Sequence, residues 1–548
     1  MTQKWWRGAV IYQIYPRSFY DSTGNGIGDL PGITEKLDYI AALGVDGIWL
    51  SPFFTSPMKD YGYDVADYCD VDPLFGTLDD FRALLDKAHG LGLKIIIDQV
   101  MSHTSDQHPW FAESRLNRHN PKADWYVWAD PRPDGNPPNN WQSIFGGPSW
   151  EFDMHRGQYY LRNFLKEQPD LNLGNPVVQD AILEASSFWL DMGVDGFRLD
   201  ALNLGIHDPE LRDNPVNPDP TPAFFNIDFP TPYTMQRHVY DMSHPDMYPF
   251  LRKIRALLDR YEGDRMSVAE IGGDECIATC AAYTKTDDLL HTAYNFTLLS
   301  GKTPSASYIR SAVEEIRSMS DTSWPSWALS NHDVVRVATR WGGAQRDNPD
   351  LTKMLIAMLT SIYGTTFLYQ GDELGLPEAE LEHKDLQDPW GLYLYPKWQG
   401  RDGCRTPMPW VGGAPHAGFS QADTTWLPVD PRHDLLAADR QEKDPSSALH
   451  FTRAFLGWRK SCPALITGNI TFHDADDDKI LLFTRDAPDQ SVLCAYNMSE
   501  NAKDVTIPQS IDGKIGAESL FESNLSGRYQ DEILSLPPFG IAFLPLTS

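Results

Sequence analysis

The sequence lacks long apolar runs, is poor in cysteine and has far fewer basic than acidic residues. A membrane-spanning helix needs about 20 mostly apolar residues in succession, and no stretch of this chain reaches that length. We therefore expect no membrane association and, because residues 5–12 (WWRGAVIY) already resemble a folded segment, no signal peptide. The six cysteines form no Cys-x-x-Cys pair, which favours reduced thiols and a cytoplasmic protein over a disulfide framework.

Acidic residues outnumber basic ones by 76 to 46, which gives a formal net charge of -30. A surface of this sign repels nucleic acids and anionic membranes. We therefore predict a neutral small-molecule substrate and no nucleic-acid partner. The oligomeric state stays open at this point.

A repeated βα pattern runs through the sequence. Residues 43–50 (LGVDGIWL) and 192–199 (MGVDGFRL) each combine a helix end, a glycine and a buried strand, and each follows apolar residues at helical spacing. Thr77 and Asp80 have the spacing of a capping box at the start of another helix. This alternation predicts an α/β fold, a (β/α)8 TIM barrel with its functional residues at the C-terminal strand ends. Further strands are predicted at residues 10–15, 93–97, 266–269, 327–330 and 365–369.

Three regions interrupt this pattern. Residues 104–172 are rich in Trp, Pro, Asn and Gly and have no clear helix, which indicates an excursion domain after the third strand. Seven prolines from residue 209 to residue 232 forbid regular structure there and predict a stiffened loop over the site. Short alternating runs predict an antiparallel β-sandwich at residues 463–548, so the barrel is assigned to residues 1–103 and 173–462.

Three acidic residues, Asp200, Glu270 and Asp333, follow predicted strands. A retaining glycosidase needs one carboxylate as nucleophile and a second acid to protonate the leaving oxygen, about 5 Å apart. Arg198 shares a strand face with Asp200 and is predicted to lower its pKa, whereas burial and the charge of Asp200 raise the pKa of Glu270. One such acid alone is as often a helix cap, but three together favour glycosidic chemistry.

Several other polar residues have two interpretations. His103 and His332 either hydrogen-bond sugar hydroxyls as neutral donors or are structural. Tyr63 either offers its ring to the apolar face of a sugar, with Asp60 binding hydroxyls, or packs in the core. The residues alone leave both interpretations open.

The loop at residues 21–29 places oxygen-bearing groups at alternate positions with glycines between them. This pattern is typical either of a loop around a structural Ca2+ or Mg2+ ion or of a glycine-rich surface turn. No cofactor is expected for catalysis. The candidate ligands are Asp21, Thr23, Asn25, Ile27 and Asp29.

Six motifs occur in order along the chain: residues 9–19 (AVIYQIYPRSF), 98–103 (DQVMSH), 168–172 (QPDLN), 196–203 (GFRLDALN), Glu270 and residues 331–333 (NHD). Together they resemble glycoside hydrolase family 13, the α-amylase superfamily, and within it the oligo-1,6-glucosidase and α-glucosidase branch. The resemblance spans nearly the whole chain.

The resemblance implies Asp200 as the nucleophile, Glu270 as the general acid and base, and Asp333 as a third acid that binds sugar hydroxyls. Arg401 lies in residues 400–408 (GRDGCRTPM), which contain two arginines and depart from the family's usual Asn-Ala at positions 403 and 404. The residues assigned to the pocket for the non-reducing glucose are Asp60, Tyr63, His103, Phe145, Phe164, Arg198, Ala201, His332 and Arg401.

In this branch the residue after the nucleophile is associated with linkage preference. Valine occurs with α-1,6 cleavage, and a smaller residue such as alanine or threonine occurs with α-1,4 cleavage. Ala201 therefore favours maltose-like α-1,4-linked substrates over isomaltose. Together with the acids, the resemblance implies a retaining, exo-acting α-glucosidase for short α-1,4-linked glucosides such as maltose, acting through a glucosyl-enzyme and also transglucosylating. The alternatives are an α-glucosyl transferase or isomerase that converts sucrose or maltose, and an oligo-1,6-glucosidase. A non-catalytic relative, such as an amino-acid-transporter heavy chain, is disfavoured by the three acids and the missing membrane helix.

The resemblance also bears on metal ions. Ser102 stands where many α-amylases have an asparagine that helps bind calcium near the excursion domain, so no calcium is expected there. The loop at residues 21–29 resembles another ion site of the branch, which supports a structural Ca2+ or Mg2+ in that loop.

Overall fold

Eight parallel strands close into a barrel in the computed structural model, which describes residues 4–220, 227–299 and 303–547. Each strand pairs with the next one along the chain and the last pairs with the first, which confirms the predicted (β/α)8 barrel. In chain order the strands are β1 Val10–Ile14, β2 Gly47–Leu50, β3 Lys94–Val100, β4 Gly196–Asp200, β5 Met266–Ile271, β6 Thr292–Asn295, β7 Pro325–Ala328 and β8 Thr365–Tyr369.

The barrel strands are buried almost throughout, which explains why most of them read as continuous apolar runs. Leu199 of β4 lies beside Ala269 of β5 in the parallel register. The residues that follow them, Asp200 and Glu270, therefore reach the same end of the barrel side by side. The carboxyl ends of the other strands open onto that same end, because all eight run in one direction.

The strand predicted at residues 327–330 is placed two residues too late, because β7 runs from Pro325 to Ala328. Ser330 already belongs to the turn that follows, where its hydroxyl accepts a hydrogen bond from the Val337 N–H at 3.0 Å. The chain from Leu329 onward therefore leaves the sheet and can turn toward the barrel mouth.

Helices cover the outside of the barrel, and their predicted ends are confirmed. Thr77 and Asp80 form the capping box that opens the second of them. Gly44 and Gly193 take left-handed φ values of 88° and 111° at the two predicted helix stops. The main helices are α1 Leu30–Ala42, α2 Leu78–Gly90, α3 Pro176–Met192, α4 Met247–Leu258, α5 Cys276–Thr284, α6 Ala306–Met319, α7 Pro349–Leu359 and α8 Ala448–Arg459.

Short helices occur in the connections between these elements. No helix in the described ranges is both long and apolar enough to cross a membrane. The short helices are Pro109–Ser114, Val337–Gly342, Pro389–Leu394, Pro431–Leu435, Ala438–Glu442 and Pro463–Thr467.

The excursion between β3 and α3 contains a small antiparallel sheet made of Trp128–Ala129, Gln158–Leu161 and Trp150–Asp153. It also contains the helix Pro109–Ser114, so the prediction that this region has no helix is wrong. Six residues are too few for an apolar periodicity to show, and the helix is started by Pro109 and its N-cap His108.

The proline-rich region between β4 and α4 has no helix or strand in its described residues 205–220 and 227–246, as its prolines predict. Residues 221–226, which include Pro222, lie outside the described residues. The region is tied to the excursion, where the Trp141 indole N–H donates to the Arg212 carbonyl at 2.8 Å. Part of it therefore lies over the barrel mouth.

The C-terminal region forms two antiparallel sheets, which confirms the predicted β domain. Leu493 and Ala495 face the smaller sheet, whereas Cys494 and Tyr496 pack toward the barrel, so the central strand is buried on both sides. The larger sheet has the order Asn469–His473, Ile480–Ala487, Gln490–Asn497, Ile541–Thr547, Lys514–Ile515, and the smaller one Lys503–Thr506, Ile533–Leu536, Arg528–Gln530.

Candidate active site

A single buried arginine joins the acids at the ends of β3, β4 and β5. Arg198 Nη1 lies 2.5 Å from Asp200 Oδ1 and 2.8 Å from Asp98 Oδ1, and its Nη2 lies 2.6 Å from Glu270 Oε1. Because Asp200 and Glu270 bind the two terminal nitrogens of one guanidinium group, their carboxyl groups are close neighbours. This arrangement suits the short carboxyl separation of about 5 Å that a retaining mechanism uses.

Burial raises the pKa of both acids that face each other. It raises the pKa of Asp200 to about 7, with Arg198 opposing the shift and Asp98 adding to it. It also raises the pKa of Glu270 to about 7, with Arg198 again opposing and Asp200 adding. Arg198 does act on Asp200 in the predicted direction, but the expectation of a low pKa is wrong because desolvation outweighs one arginine shared among three acids.

Glu270 is held by two donors besides Arg198. The Tyr294 hydroxyl at the end of β6 donates to Oε1 at 3.1 Å, and the Ala201 backbone N–H donates to Oε2 at 3.1 Å. Ala201 adopts a left-handed φ of 41°, which turns the backbone N–H after Asp200 toward the neighbouring strand. The position of the general-acid candidate is thus fixed by the conformation of the residue after the nucleophile candidate.

Asp333, which follows β7, is paired with two arginines. Its Oδ1 lies 2.9 Å from Arg405 Nη2 and 3.2 Å from Arg401 Nη1. Burial opposes ionisation of this carboxyl, but the adjacent His332 ring and the guanidinium groups of Arg401 and Arg405 outweigh it and hold the pKa of Asp333 below its usual range. The third acid is therefore ionised at neutral pH.

Arg401 also anchors the wall beside the acids. Its Nη2 lies 2.8 Å from both Asp60 Oδ1 and Asp388 Oδ1, and its backbone N–H donates to Asp388 Oδ2 at 2.8 Å. Gln168 Nε2 donates to the other oxygen of Asp60 at 3.1 Å. Nearly every polar atom of this wall is thus fixed before a substrate arrives.

A chain of hydrogen bonds fixes the neutral tautomer of His332. The Gln13 amide donates to its Nδ1 at 2.7 Å, so its Nε2 carries the proton and donates to the Tyr63 hydroxyl at 2.6 Å. The Tyr63 hydroxyl in turn donates to Asp98 Oδ2 at 3.0 Å. Burial lowers the pKa of His332 well below its usual range, so the neutral ring donates its one N–H to Tyr63 and lies beside Asp333 without a charge.

His103 is neutral as well, because burial lowers its pKa to about 4. Its Nε2–H donates to the Tyr63 carbonyl at 3.1 Å, and the Ser102 hydroxyl donates to its Nδ1 at 3.0 Å. The side chain that replaces the calcium-binding asparagine of many α-amylases therefore serves to orient His103.

A cavity of about 590 Å³ opens above the acids. It brings together all three acids and most of the residues predicted to bind glucose. Arg198 and His332 do not line it; they are fully buried behind its wall and act through Asp200, Glu270 and Asp333. The predicted residues on its surface are Asp60, Tyr63, His103, Phe145, Phe164, Asp200, Ala201, Glu270, Asp333 and Arg401.

Several residues of this arrangement were missed from the sequence. Asp98 lies inside a recognised motif and could have been found as the first acid at a strand end. Tyr294 and Asp388 carry no local pattern that sets them apart from other tyrosines and helix-capping aspartates. Arg405 was noticed only as a second arginine near Arg401.

The loop at residues 21–29 folds around its own acids. Asp21 accepts hydrogen bonds from the Gly26 N–H at 2.7 Å and the Ser420 hydroxyl at 2.5 Å, and Asp29 accepts from the Gly32 N–H at 2.6 Å. Asp21 accepts six hydrogen bonds in total and Asp29 three, so a hard cation would have to displace some of these donors from the two carboxyl groups. No group of three or more His, Cys, Asp or Glu side chains in the described residues is placed to bind a metal, so such an ion would also need amide, hydroxyl or carbonyl ligands.

Residues 13–468 match the model of the α-amylase catalytic domain. The chain is 48% identical to a probable α-glucosidase of Rhizobium meliloti (strain 1021), over 99% of this chain and 97% of that protein. It is 37% identical to an oligo-1,6-glucosidase of Heyndrickxia coagulans, over 91% of this chain and 93% of that protein.

Among solved structures, the α-glucosyl transfer enzyme XgtA superimposes with a TM-score of 0.95 at 51% identity, covering 100% of both chains. The barrel, the three acids at its mouth and these similarities agree. The protein is therefore a glycoside hydrolase that belongs to family 13, the α-amylase family, in its α-glucosidase branch.

Proposed function

We propose that this enzyme is a retaining, exo-acting α-glucosidase that releases α-glucose from the non-reducing end of short α-1,4-linked glucosides such as maltose, and that it also transfers glucose to acceptors. The observation that carries the proposal is the ion-paired wall of Asp60, Arg401 and Asp388 beside the three acids. We take this wall as the end of the cavity, with room for a single sugar between it and the reaction centre.

In the first step Glu270 donates its proton to the glycosidic oxygen while Asp200 attacks the anomeric carbon, giving a glucosyl-enzyme. Glu270 is suited to this step because its pKa is raised to about 7. In the second step Glu270, now a base, takes a proton from water or a sugar hydroxyl, which attacks the anomeric carbon and frees Asp200. Two inversions leave the α configuration unchanged.

Asp333 acts by binding sugar hydroxyls of the substrate. With Arg401 and Arg405 on one oxygen, its carboxylate keeps its charge and can accept hydrogen bonds from sugar hydroxyls with its remaining lone pairs. Asp60 and His103 lie on the same side of the cavity. The glucose ring is thus surrounded by charged and polar groups that are already in place, which favours the distorted ring of the transition state.

Exo action is supported by the wall, because the Asp60–Arg401 ion pair lines the cavity where a longer chain would have to pass beyond the first glucose. Preference for α-1,4 linkages is supported by Ala201, whose small side chain lines the cavity next to Asp200. Transfer is supported by the similarity to an α-glucosyl transfer enzyme and by the apolar side chains of Leu204, Tyr233 and Met242 on the far side of the cavity.

The test is a panel of maltose, isomaltose, sucrose and soluble starch with the purified enzyme, followed by proton NMR of the first product. We expect α-glucose from maltose, slower cleavage of isomaltose, little from starch, and new glucosides when an acceptor alcohol is added. β-Glucose as the first product would exclude retention, and efficient starch cleavage would exclude the closed pocket. A transferase is the second candidate, and it predicts that glucosides exceed free glucose even without added acceptor.

Two further proposals accompany this function. We infer that the loop at residues 21–29 binds a structural Ca2+ or Mg2+ with oxygens of Asp21, Thr23, Asn25, Ile27 and Asp29, because the sequence places these oxygen-bearing groups at alternate positions in a loop packed against the chain at Ser420. A cytoplasmic location is supported by the free thiols of all six cysteines.

A further inference from the structure

The far side of the cavity, which receives the leaving group and then the acceptor, is built differently from the glucose side. Tyr233 and Met242 line it, and both come from the proline-rich region between β4 and α4. This region has no helix or strand in its described residues 205–220 and 227–246, and its backbone is joined by an isolated antiparallel bridge between Val216 and Gln236. Side-chain contacts add to this backbone pairing at Tyr233 and Met242.

His238 links the two ends of this wall. Its Nδ1 lies 2.7 Å from Asp241 Oδ2, next to Met242, and its Nε2 lies 3.0 Å from the Tyr233 carbonyl oxygen. The His238 ring also stacks on the Tyr233 ring, with 3.8 Å between ring centroids. His238 therefore contacts Tyr233 directly and reaches Met242 through Asp241, which precedes Met242 in the chain.

The contacts of His238 require a charged imidazolium. A carboxylate and a carbonyl oxygen can only accept hydrogen bonds, so both ring nitrogens must donate, which only the protonated ring can do. The side chains of His238 and Asp241 are 4% and 5% exposed, so this ion pair is shielded from solvent. The pair agrees with the raised pKa of His238, where burial opposes the charge and Asp241 outweighs it.

The same wall is tied to the catalytic strands through Asn203. Its amide donates to the Ser243 hydroxyl at 3.0 Å and to the Gly272 carbonyl at 2.9 Å, and the Ser243 N–H donates back to its carbonyl at 2.6 Å. Asn203 follows β4 and Gly272 follows β5. A shift of the wall would therefore also displace the segments that directly follow Asp200 and Glu270.

We propose that His238 is a positioning residue for the reaction: as an imidazolium paired with Asp241, it holds Tyr233 and Met242 as the surface against which the leaving sugar, and later the acceptor, is aligned with the anomeric carbon. His238 itself does not touch substrate. The inference rests on the proposed glucosidase function, since it assigns the leaving-group side of that site.

A substrate without a leaving sugar separates the two sides of the cavity. α-Glucosyl fluoride fills the glucose side but has only a fluoride ion to expel, whereas maltose must also align its second glucose on the far side. Both react through Asp200, with the C–F or C–O bond breaking as the Asp200 ester forms. The ratio of kcat/KM for maltose to kcat/KM for α-glucosyl fluoride therefore reports on the groups that serve the leaving sugar, which are the far wall and the proton donor Glu270.

The experiment compares wild type with His238→Gln and Asp241→Asn, and uses His244→Gln as a matched control from the same region. We expect the maltose-to-fluoride ratio to fall about tenfold in the first two variants and to stay unchanged in the control, because misaligned reactants lose at least this much. Melting temperature and circular dichroism verify that each variant is folded. Asp241→Asn keeps the test valid if His238→Gln does not fold.

An unchanged ratio in both folded variants would overturn the role of His238. An equal loss on both substrates would also overturn it, because that result indicates general damage to the fold. Absence of α-glucosyl fluoride hydrolysis by the wild-type enzyme is a different outcome and would remove the proposed glucosidase function itself.

Discussion

The two sides of the cavity are stabilised in opposite ways. The glucose side consists of buried charges on loops that directly follow barrel strands, and Arg401 alone contacts Asp60, Asp333 and Asp388. The far side consists of apolar side chains on an irregular segment in which His238 and Asp241 form a buried ion pair. In the proposed function the first side binds one sugar through fixed groups, and the second can differ between relatives without disturbing the chemistry.

This contrast explains why family membership is easier to establish than linkage preference. Residues on the glucose side are fixed by several partners each, so a change there leaves a buried charge unpaired, which is costly. A change on the far side alters only shape and apolar contact, which is worth about 1–3 kcal/mol in discrimination. Substrate range should therefore vary mainly through the residues of the far side.

The largest expected effect is the loss of the nucleophile, which both sides of the cavity serve. Asp200→Asn should lower kcat on an aryl α-glucoside about 10,000-fold or more, because the amide cannot form the glucosyl ester. Asp213→Asn, an exposed residue of the proline-rich region, is the control and should remain active. A fully active Asp200→Asn enzyme would contradict the double-displacement mechanism.

Arg401→Lys tests the glucose side. A lysine carries a single ammonium group and cannot reproduce the fork that reaches three carboxylates, so we expect kcat/KM to fall about 100-fold for maltose and α-glucosyl fluoride alike. Arg346→Lys, at a partly exposed ion pair, should change neither value. Loss on maltose alone would place Arg401 on the far side and break the comparison.

Ala201→Val tests the boundary between the two sides. The added methyl groups enter the cavity, and a β-branched residue is strained at the left-handed φ of 41°. We expect the ratio of maltose to isomaltose cleavage to fall about tenfold in paired kinetic assays. If the ratio stays as in the wild type, linkage preference comes from the far wall instead.

Glu270→Gln tests the electrostatic part of the comparison through its effect on the melting temperature of the protein. The folded pKa of Glu270 is raised to about 7, so its favourable contribution is present at acidic pH and is lost as the pH rises through about 7. Arg198 remains paired with Asp98 and Asp200 in the variant. The melting temperature should therefore exceed that of wild type by about 2 °C at pH 8 and approach it at pH 5. A variant less stable than wild type at pH 8 would show that the ion pair outweighs burial.

The smallest expected effect concerns the loop at residues 21–29, far from both sides of the cavity. A chelator should lower the melting temperature by about 1–2 °C, and added Ca2+ or Mg2+ should restore it, because an ion bound only to the folded state stabilises it. Asn25→Ala should abolish this response. If neither chelator nor cation changes the melting temperature, the loop is a turn closed by its own hydrogen bonds and binds no structural ion.

Much of the fold was predictable because it depends on local patterns. The buried strands, the capping box at Thr77 and the glycine stop at Gly193 each leave a signal within a few residues, and the order of strands then follows from barrel topology. The acids Asp200 and Glu270 were found for the same reason, since each ends a recognisable strand.

The parts that escaped prediction depend on distant pairings or on competing energies. Asp388 and Asp60 meet at one guanidinium group although they lie far apart in the sequence, and no local pattern announces that contact. The pair of His238 and Asp241 lies in a segment without periodicity. The direction of the pKa shift of Asp200 could not be derived from the nearby arginine alone, because it also depends on how deeply the carboxyl group is buried.

The position of the last strand has a consequence for how the molecule is made. Ile541–Thr547 lies inside the larger C-terminal sheet, between Gln490–Asn497 and Lys514–Ile515, and not at its edge. The strands on either side of it therefore lack their partner until Ile541–Thr547 has been synthesised. A chain interrupted just before Ile541 would leave strand edges of this sheet unpaired, and exposed edges of this kind favour aggregation.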